Sequence, residues 1–352
     1  MKYRQYVVPL FLYALMSYPI FYYSYKFGSP ATSGQRDFYD YYPLYSEMNI
    51  LEPEAPYNMR VVSPSLVYLL NRSGLSYPIE INFQDPEIDQ DVYLSTIIVH
   101  FVAAVLTAFL IFLALLYLSK DWLLSILGGG LYLVQYGTVF WGSGGITDGF
   151  SAALFALFTF FFLRKSYWSI PVLLLAIFQR ELIILGAGVV SCIYWLNGFW
   201  NKKRVDRYYL ITWLASLGSF IFFSILRNTL FYTPKNDHHF NVSNFFGRFD
   251  EVDFSLFVYL KGVVLSQNIL AIYVLILLFK WIYGLKINWF RVSVIMSLFV
   301  FLHLVRAAIN PVFFEVGRHM YILSPLFIVY MLLEAVPIFQ RWYKKALQLP
   351  ST

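Results

Sequence analysis

Charge is scarce in this chain: 13% of its 352 residues are Asp, Glu, Lys or Arg, against about 25% in an ordinary soluble domain. A water-soluble body of 41.2 kDa needs a charged skin, and 26 basic plus 20 acidic side chains do not supply one. That excludes a soluble globular enzyme. Cysteine is scarcer still. With Cys192 alone, an intrachain disulfide framework, a Cys-x-x-Cys redox pair and a thiolate metal cluster are all excluded. The chain also lacks a solenoid period, a low-complexity tract and any soluble stretch large enough to stand alone, so residues 1–352 are expected to form one integral membrane domain. What it has in excess is apolar surface: 59% hydrophobic residues, 21% aromatic, and a mean hydropathy of +0.60. The solvent for that surface is a bilayer.

Stretches of about 20 apolar residues mark membrane-spanning helices, and ten segments stand out. They are Gln5–Tyr23, Tyr93–Leu118, Trp122–Trp141, Gly149–Leu163, Trp168–Phe178, Leu182–Trp200, Tyr208–Leu226, Val263–Tyr283, Phe290–Ala308 and Met320–Phe339. The first lacks a small-x-small cleavage site and is expected to remain as a span rather than leave as a signal peptide. The fifth and sixth are divided by the polar triplet Gln179, Arg180, Glu181. The expected fold class is therefore all-α, a polytopic membrane protein of about ten transmembrane helices.

Basic residues stay on the cytoplasmic side of a membrane. With both termini cytoplasmic, fifteen of the 26 Lys and Arg residues fall inside, and 17 of the 20 acids fall outside. The net charge of +6 thus reports topology and contact with membrane lipids, not nucleic acid. Two segments lie outside the spans, both on the extracytoplasmic side: residues 26–92 and residues 227–262. In the first, Ser63–Asn71 is a short apolar run opened by Ser-Pro, the pattern of a helix start and of an interfacial helix. In the second, the adjacent His238 and His239 cannot both aim at one ion and have no third ligand, so no metal and no cofactor is expected.

Ionisable groups at membrane level are costly and mark functional sites by default. Here they gather at the outer ends of the helices: Asp37 and Asp40, Asp148, Arg180 and Glu181, Arg306, then Glu315, Arg318 and His319. Each alone is as readily explained as an interfacial residue. Together they outline one polar site.

The stretch Asp37-Phe38-Tyr39-Asp40-Tyr41-Tyr42 resembles the signature that follows the first transmembrane helix in polytopic glycosyltransferases of the GT-C superfamily, especially those that use polyprenyl-phosphate mannose. Pro56-Tyr57-Asn58-Met59-Arg60 with Pro64-Ser65-Leu66, Thr147-Asp148, the pair Arg180-Glu181, and Gly317-Arg318-His319-Met320-Tyr321 are similar to elements that superfamily places at comparable points. Pro43, Leu44 and Tyr45 stand where small residues commonly follow the tyrosine pair. The resemblance implies a long first extracytoplasmic loop with interfacial helices and transfer of a sugar, such as mannose, from a polyprenyl-phosphate-linked donor. The acceptor would be a glycan, lipid or protein, and the setting a bacterial cytoplasmic membrane.

It further implies that Asp37 is the general base, the alternative being a helix-capping aspartate. Asp40 either binds the acceptor or serves as the base instead. Arg60, Arg180 and Arg318 are guanidinium forks suited to phosphate; against this stand an ion-paired loop arginine for the first two and a snorkelling arginine for Arg318. His319 belongs to the binding set beside Arg318, Glu181 holds Arg180, and Asp148 either orients acceptor hydroxyls or caps its own helix. Two other classes use similar residues: a transporter or flippase of a lipid-linked or small anionic substrate, and a polymerase of lipid-diphosphate glycans.

Overall fold

In a computed structural model, described for residues 4–27, 37–53, 56–76, 88–202, 206–231, 268–309 and 314–347, all regular structure is helical. The helices are α1 (Arg4–Phe27), α2 (Asp37–Ser46), α3 (Val62–Arg72), α4 (Gln90–Ser119), α5 (Trp122–Val134), α6 (Asp148–Leu163), α7 (Ser169–Ile177), α8 (Glu181–Lys202), α9 (Arg207–Thr229), α10 (Asn268–Ile282), α11 (Trp289–Ile309) and α12 (Phe314–Leu347). A 3-10 turn occupies Tyr57–Met59 and a π turn Thr138–Gly142. Each of the ten apolar segments contains one helix. By length and composition five of them, α1, α4, α8, α9 and α12, are sufficient to cross a membrane. The helices α5, α6, α10 and α11 are apolar but shorter. Helix α7 has nine residues, roughly 14 Å of rise against a hydrocarbon core of about 30 Å. The chain is thus a helical membrane protein.

Local chemistry sets the helix ends. Asp89, Asp121 and Asp206 cap α4, α5 and α9 by accepting the N–H groups of Asp91 (2.8 Å), Leu124 (3.0 Å) and Tyr208 (3.2 Å). Lys120 adopts a left-handed conformation (φ 59°) that closes the two-residue turn from α4 into α5. Inside the bundle, buried hydroxyls bond back to the carbonyl four residues earlier: Thr107 to Ala103, Ser151 to Thr147 and Ser191 to Ala187. No water is needed to satisfy them, as an apolar environment requires.

The segment expected to run unbroken from Trp122 to Trp141 is interrupted. Helix α5 stops at Val134, Gln135 turns to extended backbone (ψ 149°), and the π turn follows. The cause is close packing against α12. A Cβ on Gly137 would lie 2.5 Å from the Tyr321 ring, and the Gln135 amide donates to the Ser324 hydroxyl at 3.0 Å. The expected helix at Ser63–Asn71 is present as α3. Most of residues 227–262, with His238 and His239, lie outside the described residues.

Helix α12 is the most enclosed, whereas α1 and α9 turn apolar stripes outward, among them Val7, Phe11 and Leu15, and Leu214, Leu217 and Ile221. Contacts sort the helix ends into two sets. Trp122 next to α1 donates to the Gln5 carbonyl, Lys165 pairs with Asp206, and Lys280 and Arg291 pair with Glu334, all at one end. At the other end lie the starts of α2, α6, α8 and α12. The segregation of charge follows from this alternation.

Glu334, fully buried on α12, accepts from Lys280 Nζ (2.5 Å), Arg291 Nη1 (2.9 Å) and the Asn288 N–H (3.2 Å), and so joins α10 and α11 to α12. Removing one partner of a buried pair leaves an uncompensated charge, at a cost of about 3 kcal/mol or more. Glu334→Leu, which leaves Lys280 buried without its carboxylate, is expected to lower the unfolding temperature in detergent markedly, and Lys280→Met/Glu334→Leu to recover part of that loss, Arg291 being 28% exposed and able to reach water.

Candidate functional site

Three carboxylates open three helices: Asp37 in α2, Asp148 in α6 and Glu181 in α8. A negative charge is favoured in a first helical turn, where the N–H groups are unsatisfied and the helix dipole is positive. Because these three helix starts converge, their carboxylates also converge, and mutual repulsion would be severe without cations. Arg60, Arg180 and Arg318 supply them.

The contacts form a connected chain. Arg318 spans two carboxylates with its two edges: Nη2 lies 2.5 Å from Asp37 Oδ2 and Nε 2.6 Å from Asp148 Oδ2. Asp148 offers its other oxygen to Arg180. Arg60 donates through Nη2 to both oxygens of Glu181, at 3.0 and 3.2 Å, and through Nη1 to the Tyr41 hydroxyl at 2.8 Å. Thr147, immediately before Asp148, donates to the same hydroxyl at 3.0 Å. Tyr41 thereby links the Arg60–Glu181 pair to the Asp148 group.

Six of the eight residues expected at the site, Asp37, Arg60, Asp148, Arg180, Glu181 and Arg318, are joined by these direct contacts. Asp40 stands exposed on α2, and His319 is half-buried next to Arg318 on α12. Asp37 and Asp40 both lie in the first turn of α2, where Asp37 is partly buried and paired with Arg318. The side chains of Arg306 and Glu315 lie outside those described.

Two supports were not foreseen as such. Gln179 is fully buried: its Oε1 accepts from the Ser63 N–H (2.9 Å), and its Nε2 donates to Ser63 Oγ (3.0 Å) and to the Thr147 carbonyl (3.1 Å). It fixes the α7–α8 turn against the starts of α3 and α6. The signal for it is a polar residue between two apolar segments, where only the charged neighbours drew notice. The second support is the seat of α2. Tyr45 donates to the Gly145 carbonyl at 2.9 Å, and the Phe38 ring packs where a Cβ on Gly145 would stand 3.1 Å away. Gly145 also has φ +79°, which L side chains rarely adopt.

The cluster is graded in exposure. The side chains of Asp148, Arg180 and Arg60 are 0, 5 and 8% exposed, whereas Asp37 and Glu181 are 27 and 28% exposed. Arg318, at 13%, lies between. The interior of the cluster is paired, and its accessible side presents the Asp37 and Glu181 carboxylates, whereas the Arg318 Nη2 atom that meets Asp37 is buried. Three cations and three anions balance, so the site is neutral when empty. Chemically it offers guanidinium forks for an oxyanion next to an accessible carboxylate able to take a proton.

Burial alone would raise the Asp37 pKa, but Arg318, by charge and hydrogen bond, and then Arg180 and Arg60 outweigh it and hold the carboxyl below the ordinary aspartate value. At Arg60 burial opposes the charge, and the Glu181 and Tyr41 oxygens more than restore it, so that its pKa is raised.

Comparison with protein-family models, curated proteins and solved structures finds no match to this chain.

A carboxylate with a lowered folded-state pKa stabilises the protein fully above its unfolded value, about 3.9 for Asp, and loses that contribution as pH falls through the lowered value. Thermal unfolding in detergent, followed from pH 6 to about pH 3, is therefore expected to show a steeper acid loss in the wild type than in Asp37→Asn. Identical pH dependence in the two would show that Asp37 has no such coupling to the arginines.

Proposed function

We propose that this protein is a membrane glycosyltransferase that moves a sugar, a hexose such as mannose, from a polyprenyl-phosphate donor to an acceptor hydroxyl on the extracytoplasmic side. The observation that carries this reading is the Arg318 guanidinium seated between a buried carboxylate, Asp148, and an accessible one, Asp37. A lipid-phosphate donor needs a cation for its phosphate and a nearby base for the acceptor, within an apolar body that can hold its chain. The resemblance of residues 37–42, 56–60 and 317–321 to elements of GT-C enzymes supports the same assignment.

In this mechanism the acceptor oxygen attacks the anomeric carbon as the bond from that carbon to the phosphate oxygen breaks, inverting the configuration. The proton of the attacking hydroxyl passes to Asp37, and the bonding electrons leave with the phosphate. Arg318, with Arg60 and Arg180 behind it, stabilises the charge that develops on the departing group. Asp148 holds Arg318 and Arg180 in place, Glu181 holds Arg60, and Asp40 and His319 border the acceptor side. The termini and the basic helix ends face the cytoplasm, about ten segments enter the bilayer, and the cell membrane is bacterial.

One feature favours a transporter or flippase of an anionic lipid. The helical path of one apolar segment is interrupted at Gln135, between α5 and the π turn, and broken helices line the substrate sites of many transporters. Chemistry separates the two. Purified protein given radiolabelled polyprenyl-phosphate sugars and a mixed acceptor fraction is expected to transfer label. Asp37→Asn is expected to reduce transfer about a thousandfold with expression retained and a cooperative unfolding transition still present, lowered at neutral pH by the lost pairing with Arg318. Movement of intact donor across a vesicle membrane without label transfer would establish the transporter instead, and full activity in Asp37→Asn would remove Asp37 as the base.

A further inference from the structure

The neutral cluster poses a difficulty for any phosphate ligand: every guanidinium in it already has a carboxylate partner. Arg60 is taken by Glu181 through both oxygens and by Tyr41. Arg180 is buried against Asp148. Arg318 uses Nε for Asp148, which has no exposure, and Nη2 for Asp37, which is 27% exposed at the accessible side. Of these contacts, the Arg318–Asp37 ion pair is made by a single oxygen of a carboxylate that itself reaches the surface, so that movement of Asp37 is what uncovers the buried Arg318 Nη2. It is the contact a phosphate oxygen can replace without leaving a fully buried carboxylate unpaired.

We infer that Arg318 is an exchange site: its Nη2 edge holds Asp37 while the site is empty, and an incoming polyprenyl phosphate takes that edge and releases the Asp37 carboxylate. The inference rests on the glycosyl-transfer reading above and adds its regulation. While bound to Arg318, Asp37 is a weak base with its oxygen occupied. Around it stand Arg180 from the α7–α8 turn, Arg60 ahead of α3, Tyr57 of the 3-10 turn, and Asp40, Tyr41 and Tyr45 of its own helix. Arg318 is the one cation among these in direct contact with Asp37. Its transfer to the phosphate leaves the carboxylate free to accept the acceptor's proton, and adds the phosphate's negative charge beside it, which strengthens it as a base. The base is thus armed by donor binding, and water or acceptor meeting the empty site meets a carboxylate that is already engaged.

Competition makes a prediction opposite to that of simple electrostatic support. If Asp37 occupies the phosphate's place, its neutral isostere should bind phosphate more tightly. The test is the affinity of polyprenyl phosphate, measured at one pH near 7.5, for purified wild type, Asp37→Asn and Arg318→Gln, each checked for a cooperative unfolding transition well above the assay temperature. The expected result is binding about tenfold tighter in Asp37→Asn, a 1.4 kcal/mol gain, and at least tenfold weaker in Arg318→Gln. Binding by Asp37→Asn equal to or weaker than wild type, with wild-type sugar transfer intact, overturns the exchange and leaves glycosyl transfer standing. Absence of both binding and transfer in the wild type overturns the glycosyl-transfer reading, and the exchange with it. Should Asp37→Asn fail to fold, Asp37→Ser provides the same comparison with a shorter neutral side chain.

Discussion

The pairing of Asp148 with Arg180 and Arg318 is the interaction on which the rest of the site depends. Asp148 has no solvent exposure and stands at the start of α6, inside an apolar bundle where an isolated charge is prohibitive. Two arginines neutralise it, one from the α7–α8 turn and one from the start of α12. Their charge in turn exceeds what one carboxylate can balance. Asp37 completes the account on the accessible side. The sequence positions involved span nearly the whole chain, so the bundle must assemble before any of these charges is satisfied, and conversely the charges fix how the helix starts meet.

Helix α12 carries the consequence through the bundle. Tyr321 lies one turn beyond Arg318 and so on the same face. Its ring fits against Gly137 and its hydroxyl is 2.8 Å from that of Tyr132. That fit sets the rotation of α12, and the rotation aims Arg318 at Asp37 and Asp148. Roughly 24 Å further along the axis, Glu334 meets Lys280 and Arg291. The two ends of one helix are therefore held by opposite arrangements: a guanidinium among carboxylates at one end, a carboxylate among cations at the other.

Much of this was legible in the sequence for physical reasons. Apolar runs long enough to cross lipid announce helices, and charges beside them are too costly to be incidental, so Asp37, Asp148, Arg180, Glu181 and Arg318 could be set apart in one group, whereas Arg60 is reached only through the resemblance of residues 56–60. Which acid meets which base could not be read, because the pairs lie 32 to 281 positions apart in the chain and depend on helix rotation. The same limit applies to Gln135 and the π turn: hydropathy runs smoothly from Trp122 to Trp141, and the break comes from packing against a helix almost 190 residues away. Asp37 and Asp40 lie three residues apart in the first turn of α2, and that Asp37 is the one that meets Arg318 depends on how α2 is seated, which a sequence does not display.

A bundle in lipid constrains any anion site it contains. Bare arginines at membrane level would be as costly as bare carboxylates, so the empty site must bring its own counter-ions, as this one does with three of each sign. Such neutrality has a chemical consequence. In the exchange proposed above, a phosphate that takes the Arg318 Nη2 edge displaces Asp37, and the displaced carboxylate is then an unpaired base next to the bound phosphate. Preorganised cations and a base that would otherwise quench each other can therefore share a site, provided the weaker contact lies on the open side. In the proposed exchange that contact is the one between Arg318 and Asp37, and the bond from Arg318 to fully buried Asp148 is the one that would keep the guanidinium in register.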